Sequence, residues 1–337
     1  MRRVGHLVLG ALSVLAGHTA LAAEPVSASG RFTFVFENDA LAPAGTDKWY
    51  TQGILASHLS APFQAPGFDW LFPAMLADPA SPHTRRFEKL IGQSIFTPAN
   101  TQISPPDPAD RPYAGWLYAG VGVYQETNRN QLDHFELLAG VVGPAALGSQ
   151  MQGAIHGLLG QKNSAGWAYQ LGNEPGVVLS WDHRWRMEKP MGGGGLGFDA
   201  IPEVGVSVGN VFTYAEAGMM VRFGQNLGAD YGPARVRPAL SGTTWFDASR
   251  LDGPFGWYVF AGAQGRAVAR NVFLDGSTFA SSARVTKNPL VGDLSAGLSM
   301  FWGDSAKLDF ALTWRSPEFV GGGAAQFGGV NFTVRLP

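Results

Sequence analysis

The chain has 337 residues with 45 glycines, 45% hydrophobic, 12% aromatic and only 15% charged residues, a net charge of −2 and no cysteine. The hydrophobic fraction excludes a disordered chain, the near-neutral charge leaves no basic footprint for nucleic acid, and the lack of thiols excludes disulfide staples and thiolate zinc sites. Two small domains or one large barrel fit the length.

The chain opens with Arg2 and Arg3, a short apolar run from Leu7 to Ala16, and Ala20-Leu21-Ala22 as an A-x-A cleavage site. This predicts a signal peptide over residues 1–22, with 23–337 as one exported domain. The apolar run is too short for a membrane helix, and no later segment reaches about 18 continuous apolar residues. A soluble periplasmic protein and an outer-membrane barrel are left.

Period-two alternation separates them. Arg31, Thr33 and Val35 alternate with Phe32, Phe34 and Phe36. Ala215, Ala217, Met219, Val221 and Phe223 oppose Glu216, Gly218 and Arg222; Trp257, Val259, Ala261 and Ala263 oppose Tyr258, Gln264 and Arg266. Leu308, Phe310, Leu312 and Trp314 oppose Lys307, Asp309, Thr313 and Arg315, and Val330, Phe332, Val334 and Leu336 repeat the pattern against Asn331, Thr333 and Arg335. Each is a strand with one apolar and one polar face. Strands are predicted near 31–39, 49–60, 88–96, 115–126, 132–143, 175–188, 196–209, 212–223, 254–267, 290–302, 305–315 and 326–336. Most have the length a tilted membrane strand needs, well beyond a sandwich strand. Trp49, Tyr50, Trp116, Tyr118, Trp181, Trp185, Trp257, Trp302 and Trp314 are expected to form interfacial girdles. The fold class is therefore all-β: a twelve-stranded antiparallel transmembrane β-barrel.

An even strand count puts both termini on the periplasmic side. The outer ends then fall near 39–48, 97–114, 143–174, 209–211, 268–289 and 316–325. The links at about 61–87 and 224–253 are long for periplasmic turns and are places for extra structure. One outer loop carries a short helix: from Gly143 to Gly160, Leu147, Met151, Ile155 and Leu158 recur at three or four residues, and Gln152 and His156 share a face.

This topology gathers polar clusters at the outer rim: Glu37-Asn38-Asp39, Thr46-Asp47-Lys48-Trp49-Tyr50-Thr51-Gln52-Gly53, Gly92-Gln93-Ser94, Asp110-Arg111-Pro112-Tyr113-Ala114-Gly115-Trp116, His156 and Asn173-Glu174-Pro175. Each has a plain reading as well. Asn-Asp is a turn signal, Asp110-Arg111-Pro112 a turn with an ion pair, and His156 a polar residue on a half-exposed helix. Alternation puts Glu37 and Asp39 on one side, where adjacent oxygens suit a hard cation such as calcium or simply a turn. The histidines show no zinc-protease spacing, the serines no Gly-x-Ser-x-Gly elbow, and Gly192 to Gly195 lacks the Lys-Ser/Thr of a phosphate loop.

The joint pattern of Glu37-Asn38-Asp39, the Thr46 to Gly53 stretch, the Asp110 to Trp116 stretch and Gly143-Pro144…Gly148…Gln152…His156 resembles the lipid A 3′-O-deacylase family of Gram-negative outer membranes. The resemblance covers most of the mature chain and is densest from about 32 to 182. It implies a twelve-stranded barrel with its active site between the wall and an outer-loop helix, and calcium-dependent hydrolysis of the ester that holds the 3′-linked acyloxyacyl chain on lipid A. By motif, Asn38 and Asp39 match the family's catalytic Asn-Asp pair and its calcium, Thr51 its strand-2 threonine, His156 its catalytic histidine and Gln152 a neighbouring site residue. The family also uses a lysine near the end of strand 3; in that place the Gly92-Gln93-Ser94 stretch offers Ser94 as a candidate substrate contact, and Lys89 lies farther back. Lys48, Arg111 and Lys162 are candidate contacts for substrate phosphates.

The expected partner is lipopolysaccharide in the outer leaflet, reached by a monomer. Two other functions fit the same scaffold: a phospholipase or other acyl hydrolase, and a non-enzymatic porin-like barrel.

Overall fold

The computed structural model describes residues 29–43, 48–63, 83–127, 130–191, 195–236, 238 and 242–336. The signal peptide predicted over residues 1–22, Thr46 and Asp47, and most of the 61–87 link lie outside them.

The strands are β1 (Arg31–Asn38), β2 (Trp49–Leu59), β3 (His83–Thr97), β4 (Ala114–Thr127), β5 (Gln131–Val142), β6 (Glu174–Trp185), β7 (Met187–Pro190), β8 (Leu196–Gly209), β9 (Phe212–Gln225), β10 (Phe255–Asn271), β11 (Leu290–Trp302), β12 (Ala306–Arg315) and β13 (Ala325–Arg335). Helix α1 covers Gly148–Leu159 and α2 covers Val272–Asp275. Every pairing is antiparallel between neighbours, and the sheet closes because β1 also pairs with β13 and β6 with β8. Closure leaves no edge to hydrogen-bond in lipid, the condition for spanning a membrane with strands.

The thirteenth strand does not add a stave. Arg184 pairs with Glu203 and Met187 with Ala200, so β7 continues β6 in one register along β8. The interruption is at Arg186, whose backbone N–H turns to the Asn130 carbonyl (2.6 Å) while its guanidinium reaches the carbonyls of Gly228 and Asp230. The barrel is therefore twelve-stranded, as the alternation predicts.

The polar side of that alternation faces inward. In β12, Lys307, Asp309, Thr313 and Arg315 are buried, whereas Trp314 is exposed and Leu308, Phe310 and Leu312 are partly so. Trp302 and Trp314 are exposed, and Trp181, Trp185 and Trp257 half-buried, as a girdle requires. Tyr50, Trp116 and Tyr118 depart from that expectation. Their strand positions turn them into the lumen, where Trp116 stacks on Tyr118 with ring centroids 4.3 Å apart.

The long link after β9 is not a turn. Its described residues, 226–236, 238 and 242–254, run up inside the barrel as a plug. Asp230 ion-pairs with Arg222 and Lys307 of the wall, Tyr258 donates to it at 2.9 Å, and Arg250 reaches Glu126 at 2.6 Å. Farther up, Arg235 reaches Glu37 at 2.5 Å and Thr313 at 2.9 Å, and Arg315 donates to the Pro238 carbonyl. Leu227, Ala229, Tyr231, Trp245 and Phe246 pack with the wall residues Tyr124, Tyr258, Phe260 and Phe301. The lumen is thus a packed interior in which buried charges are paired, because an unpaired one in low dielectric costs several kcal/mol.

Candidate active site

The outer ends of β1 to β4 carry a second layer on the outside of the wall. In β1, Arg31, Thr33, Val35 and Glu37 face the lumen, so Asn38 falls on the outward face with Phe32, Phe34 and Phe36. Phe34 is 40% exposed but Asn38 only 5%. The outer end of this face is covered.

Asn38 pairs with Gln52 across β2. The next pairings, Tyr50 with Phe96 and Gln52 with Ile95, leave Thr51 as the extra residue of a β-bulge. A bulge puts two consecutive side chains on one side of the strand and re-aims them. Tyr50 still points inward, where its hydroxyl donates to Glu37 at 2.7 Å. Thr51 shares a 2.7 Å hydrogen bond with the Thr97 hydroxyl of β3, on the side of Ile95. Asn38 itself caps the turn that follows by accepting from the Ala40 N–H at 2.8 Å, and Asp39 accepts from the Lys48 N–H at 2.6 Å.

Helix α1 lies against β3 and β4. Two glycines permit this closeness. A Cβ on Gly115 would stand 3.2 Å from the Ala146 Cβ, and one on Gly148 would stand 2.7 Å from the Trp167 ring. Gln93 ties the layer down by donating from Nε2 to the Ala146 carbonyl at 2.6 Å. Ile95, Tyr113 and Trp167 form a small apolar cluster there, with Met151 of α1 packed against it. Leu147, in left-handed conformation at φ 58°, starts the helix, and Gly160 at φ 69° ends it.

The face of α1 turned inward carries Gln152 and His156, both buried. Trp167 Nε1 donates to Gln152 Oε1 at 2.7 Å. His156 Nδ1 lies 2.7 Å from the Lys162 carbonyl. A carbonyl only accepts, so Nδ1 carries the hydrogen and the neutral ring presents Nε2 as its basic nitrogen.

Against this layer, residues 7–336 match the family model for the outer-membrane protein LpxR. The chain belongs to the LpxR family. This is the lipid A 3′-O-deacylase family that the motifs resemble, and it places the barrel in the outer membrane. Among solved structures, LpxR from Salmonella typhimurium superposes with a TM-score of 0.72 at 19% identity, covering 91% of this chain and 100% of that one. The β domain of the Bordetella autotransporter BrkA (10% identity, 91% and 99% covered) and an outer-membrane channel of Pseudomonas putida F1 (10%, 95% and 100% covered) reach a TM-score of only 0.43. Among curated proteins nothing matches.

In this LpxR-family chain the residues singled out by motif therefore divide. Asn38, Asp39 and Thr51 sit at the outer ends of β1 and β2, and Gln152 and His156 on the buried face of the helix laid over the neighbouring strands, about 4.8 Å per strand away. Ser94 and Arg111 are elsewhere. Ser94 pairs with Gly53 and Trp116 on the lumenal face, the opposite side of β3 from Gln93. Arg111 is fully buried over the Phe96 ring and bonded to Glu318 at 3.0 Å, so it closes the barrel mouth. Burial holds its pKa below the ordinary guanidinium range even though Glu318 pulls it upward. Lys48 extends its ammonium 4.4 Å over the Trp49 ring, Lys162 lends a carbonyl while its side chain is exposed, and Lys89 faces outward lower on β3.

Gln52 and Gln93, which the rim clusters include without a role, and Trp167, which no motif names, also belong to the site layer. A signal for Gln93 is present in the sequence: it interrupts the outward row of Ile91 and Ile95, where lipid contact demands apolar groups.

Asn38 and Asp39 offer oxygen donors alone, the set a calcium ion takes. Among the described residues a different group, Glu88, His134 and Glu136, has ligand atoms within 4.8 Å of one another. It lies in the lumen around Gly122 of β4, and Ser57 and Thr244 already donate to Glu88. This group anchors the plug and is remote from the Asn-Asp turn.

Proposed function

We propose that this protein is a calcium-dependent lipid A 3′-O-deacylase, hydrolysing the ester of the 3′-linked acyloxyacyl chain in the outer leaflet. The observation that carries the reading is the His156 ring, buried against the outside of the barrel wall with Nδ1 bound to the Lys162 carbonyl. A base on the lipid side of the wall meets an ester whose acyl chains never leave the membrane.

In the reaction, the oxygen of a water bonds to the ester carbonyl carbon as its proton passes to His156 Nε2. The bond from that carbon to the sugar oxygen then breaks, and the proton moves from His156 to the departing oxygen. A free fatty acid and a 3′-hydroxyl result, with no acyl-enzyme, in keeping with the absent serine elbow. Gln152 holds the wall-facing side of α1 in place through Trp167. Thr51 presents its hydroxyl from the bulge. Asn38 and Asp39 would hold the calcium ion, which when bound polarises the carbonyl and stabilises the oxyanion.

His156→Ala and Asp39→Ala are expected to leave a folded barrel and to lower acyl release by at least 10³-fold, the scale on which triad-like groups act. Mass spectrometry of lipid A from a host lacking such activity, with and without chelator, checks this. Release by either variant at the wild-type rate overturns the assignment. Loss of acyl chains from phospholipids but not from lipid A transfers it to a phospholipase.

A further inference from the structure

Two buried polar atoms on the outward face have no hydrogen-bond partner: Gln52 Nε2 and Gln93 Oε1. Their residues are 1% and 6% exposed. A membrane barrel has no reason to hide amides on its lipid face, and buried orphans of this kind persist where a ligand completes them. Gln52 lies across from Asn38, and Gln93 stands two residues before Ile95, the partner of Gln52 on β3. The two glutamines are thus diagonal neighbours on adjacent strands, about 7–8 Å apart along the backbone. Gln93 is fixed in orientation. Its Nε2 donates to the Ala146 carbonyl at the start of the α1 layer, so turning the amide over would set oxygen against oxygen.

One side chain therefore offers an N–H and the other a carbonyl oxygen. The complementary ligand has an acceptor and a donor a few ångströms apart. An ester on an amino sugar provides both, the ester carbonyl and the N–H of the amide on the neighbouring carbon. The acyl region of a glycerophospholipid provides carbonyls and no donor.

We infer that Gln52 donates to the carbonyl oxygen of the scissile ester and that Gln93 accepts from the adjacent amide N–H, so that the pair selects acylated amino-sugar lipids over glycerophospholipids. This rests on the deacylase reading. A site built to hydrogen-bond an N–H leaves its own acceptor stranded when the substrate lacks one, which is a strong form of discrimination.

The test uses the full chain in detergent micelles with lipid A carrying its 3′ chain and, separately, dioleoyl phosphatidylcholine. Gln52→Met, of similar length but without a donor, is expected to lower kcat on lipid A by about 10²–10³-fold with little change in KM, as removal of an oxyanion donor does. Gln93→Met also loses the tie to the Ala146 carbonyl and so slows both lipids, but its kcat/KM on lipid A is expected to fall about 10–100-fold further than that on phosphatidylcholine. A merely structural role of Gln93 would lower both substrates equally and alter the heat-dependent gel migration of the barrel. Should Gln52→Met fail to fold, Gln52→Asn, whose amide falls short by one methylene, is expected to show the same loss of kcat. Both Met variants within twofold of wild type on lipid A, or equal losses on the two lipids for Gln93→Met, overturn the inference while leaving the deacylase reading intact. A wild-type protein that leaves lipid A unchanged overturns both.

Discussion

His156 owes its chemistry to a carbonyl six residues downstream, and Gln152 owes its orientation to the Trp167 indole. Neither partner is visible from the motif, because both arise from the chain folding back after α1. Trp167→Phe keeps the ring packing against Tyr113 but removes the buried hydrogen bond from the indole N–H to Gln152 Oε1. Acyl release is expected to fall by about tenfold with the barrel intact, since losing one such bond costs about 1–3 kcal/mol. Wild-type turnover in this variant shows that Gln152 needs no orientation. Ser94 and Arg111 make the converse point. Their residue types suit substrate phosphates, but one faces the lumen and the other is consumed by Glu318. Residue type was legible; the side of the wall on which it stands depended on strand register.

Most strands were legible to within a residue or two, as at β11 (Leu290–Trp302), because apolar and polar faces alternate between lipid and lumen, although β3 starts at His83 rather than 88 and β10 runs on to Asn271 rather than 267. The bulge at Thr51 was not, since a single extra residue leaves no mark in the composition of β2. The helix shows a similar division. Its apolar spacing predicted a helix, but its lie on the wall depends on Gly115 and Gly148, and its end on Gly160. Gly160→Ala forces a side chain into left-handed conformation, with an expected loss of about 1 kcal/mol in the stability of this turn. Because both Gly160 and Gln161 donate to the His156 carbonyl, fraying there displaces the histidine. Activity is expected to drop severalfold while the melting temperature of the barrel stays unchanged. A coordinated loss of both properties shows instead that α1 supports the barrel as a whole.

At the level of the molecule, the plug decides what the barrel is for. The cavity between plug and wall beside Tyr124 and Thr244 holds about 30 Å³, room for about one water. Planar bilayers containing the protein are expected to show no steady conductance, and stable open channels restore the porin reading. The plug's anchor is Asp230, which Lys307 and Arg222 hold below the ordinary carboxylate range although burial alone would push it up. A folded-state pKa below the unfolded one stabilises the native state above the unfolded value of about 3.8, and that gain disappears as pH falls through the lower folded value. Thermal melts are expected to drop at acid pH below about 4, and less so in Asp230→Asn. At neutral pH that variant removes one of two carboxylates from Arg222 and from Lys307, which keep Asp199 and Asp309, and is expected to cost about 1–3 kcal/mol, measured by denaturant unfolding.

What the sequence by itself determined is the solvent arrangement: twelve amphipathic strands, a lipid-facing belt, an interior able to hold charge, and an outer loop with a helical period. These follow from a local rule, the two-residue alternation, which every strand obeys independently of its partners. The path of the described plug residues through the lumen, the bulge that turns Thr51 outward and the separation of Gln93 from Ser94 were decided only by the tertiary structure. Each depends on contacts between segments far apart in the chain, such as Arg235 with Glu37 and Gln93 with Ala146, and pairing over such distances leaves no periodic trace.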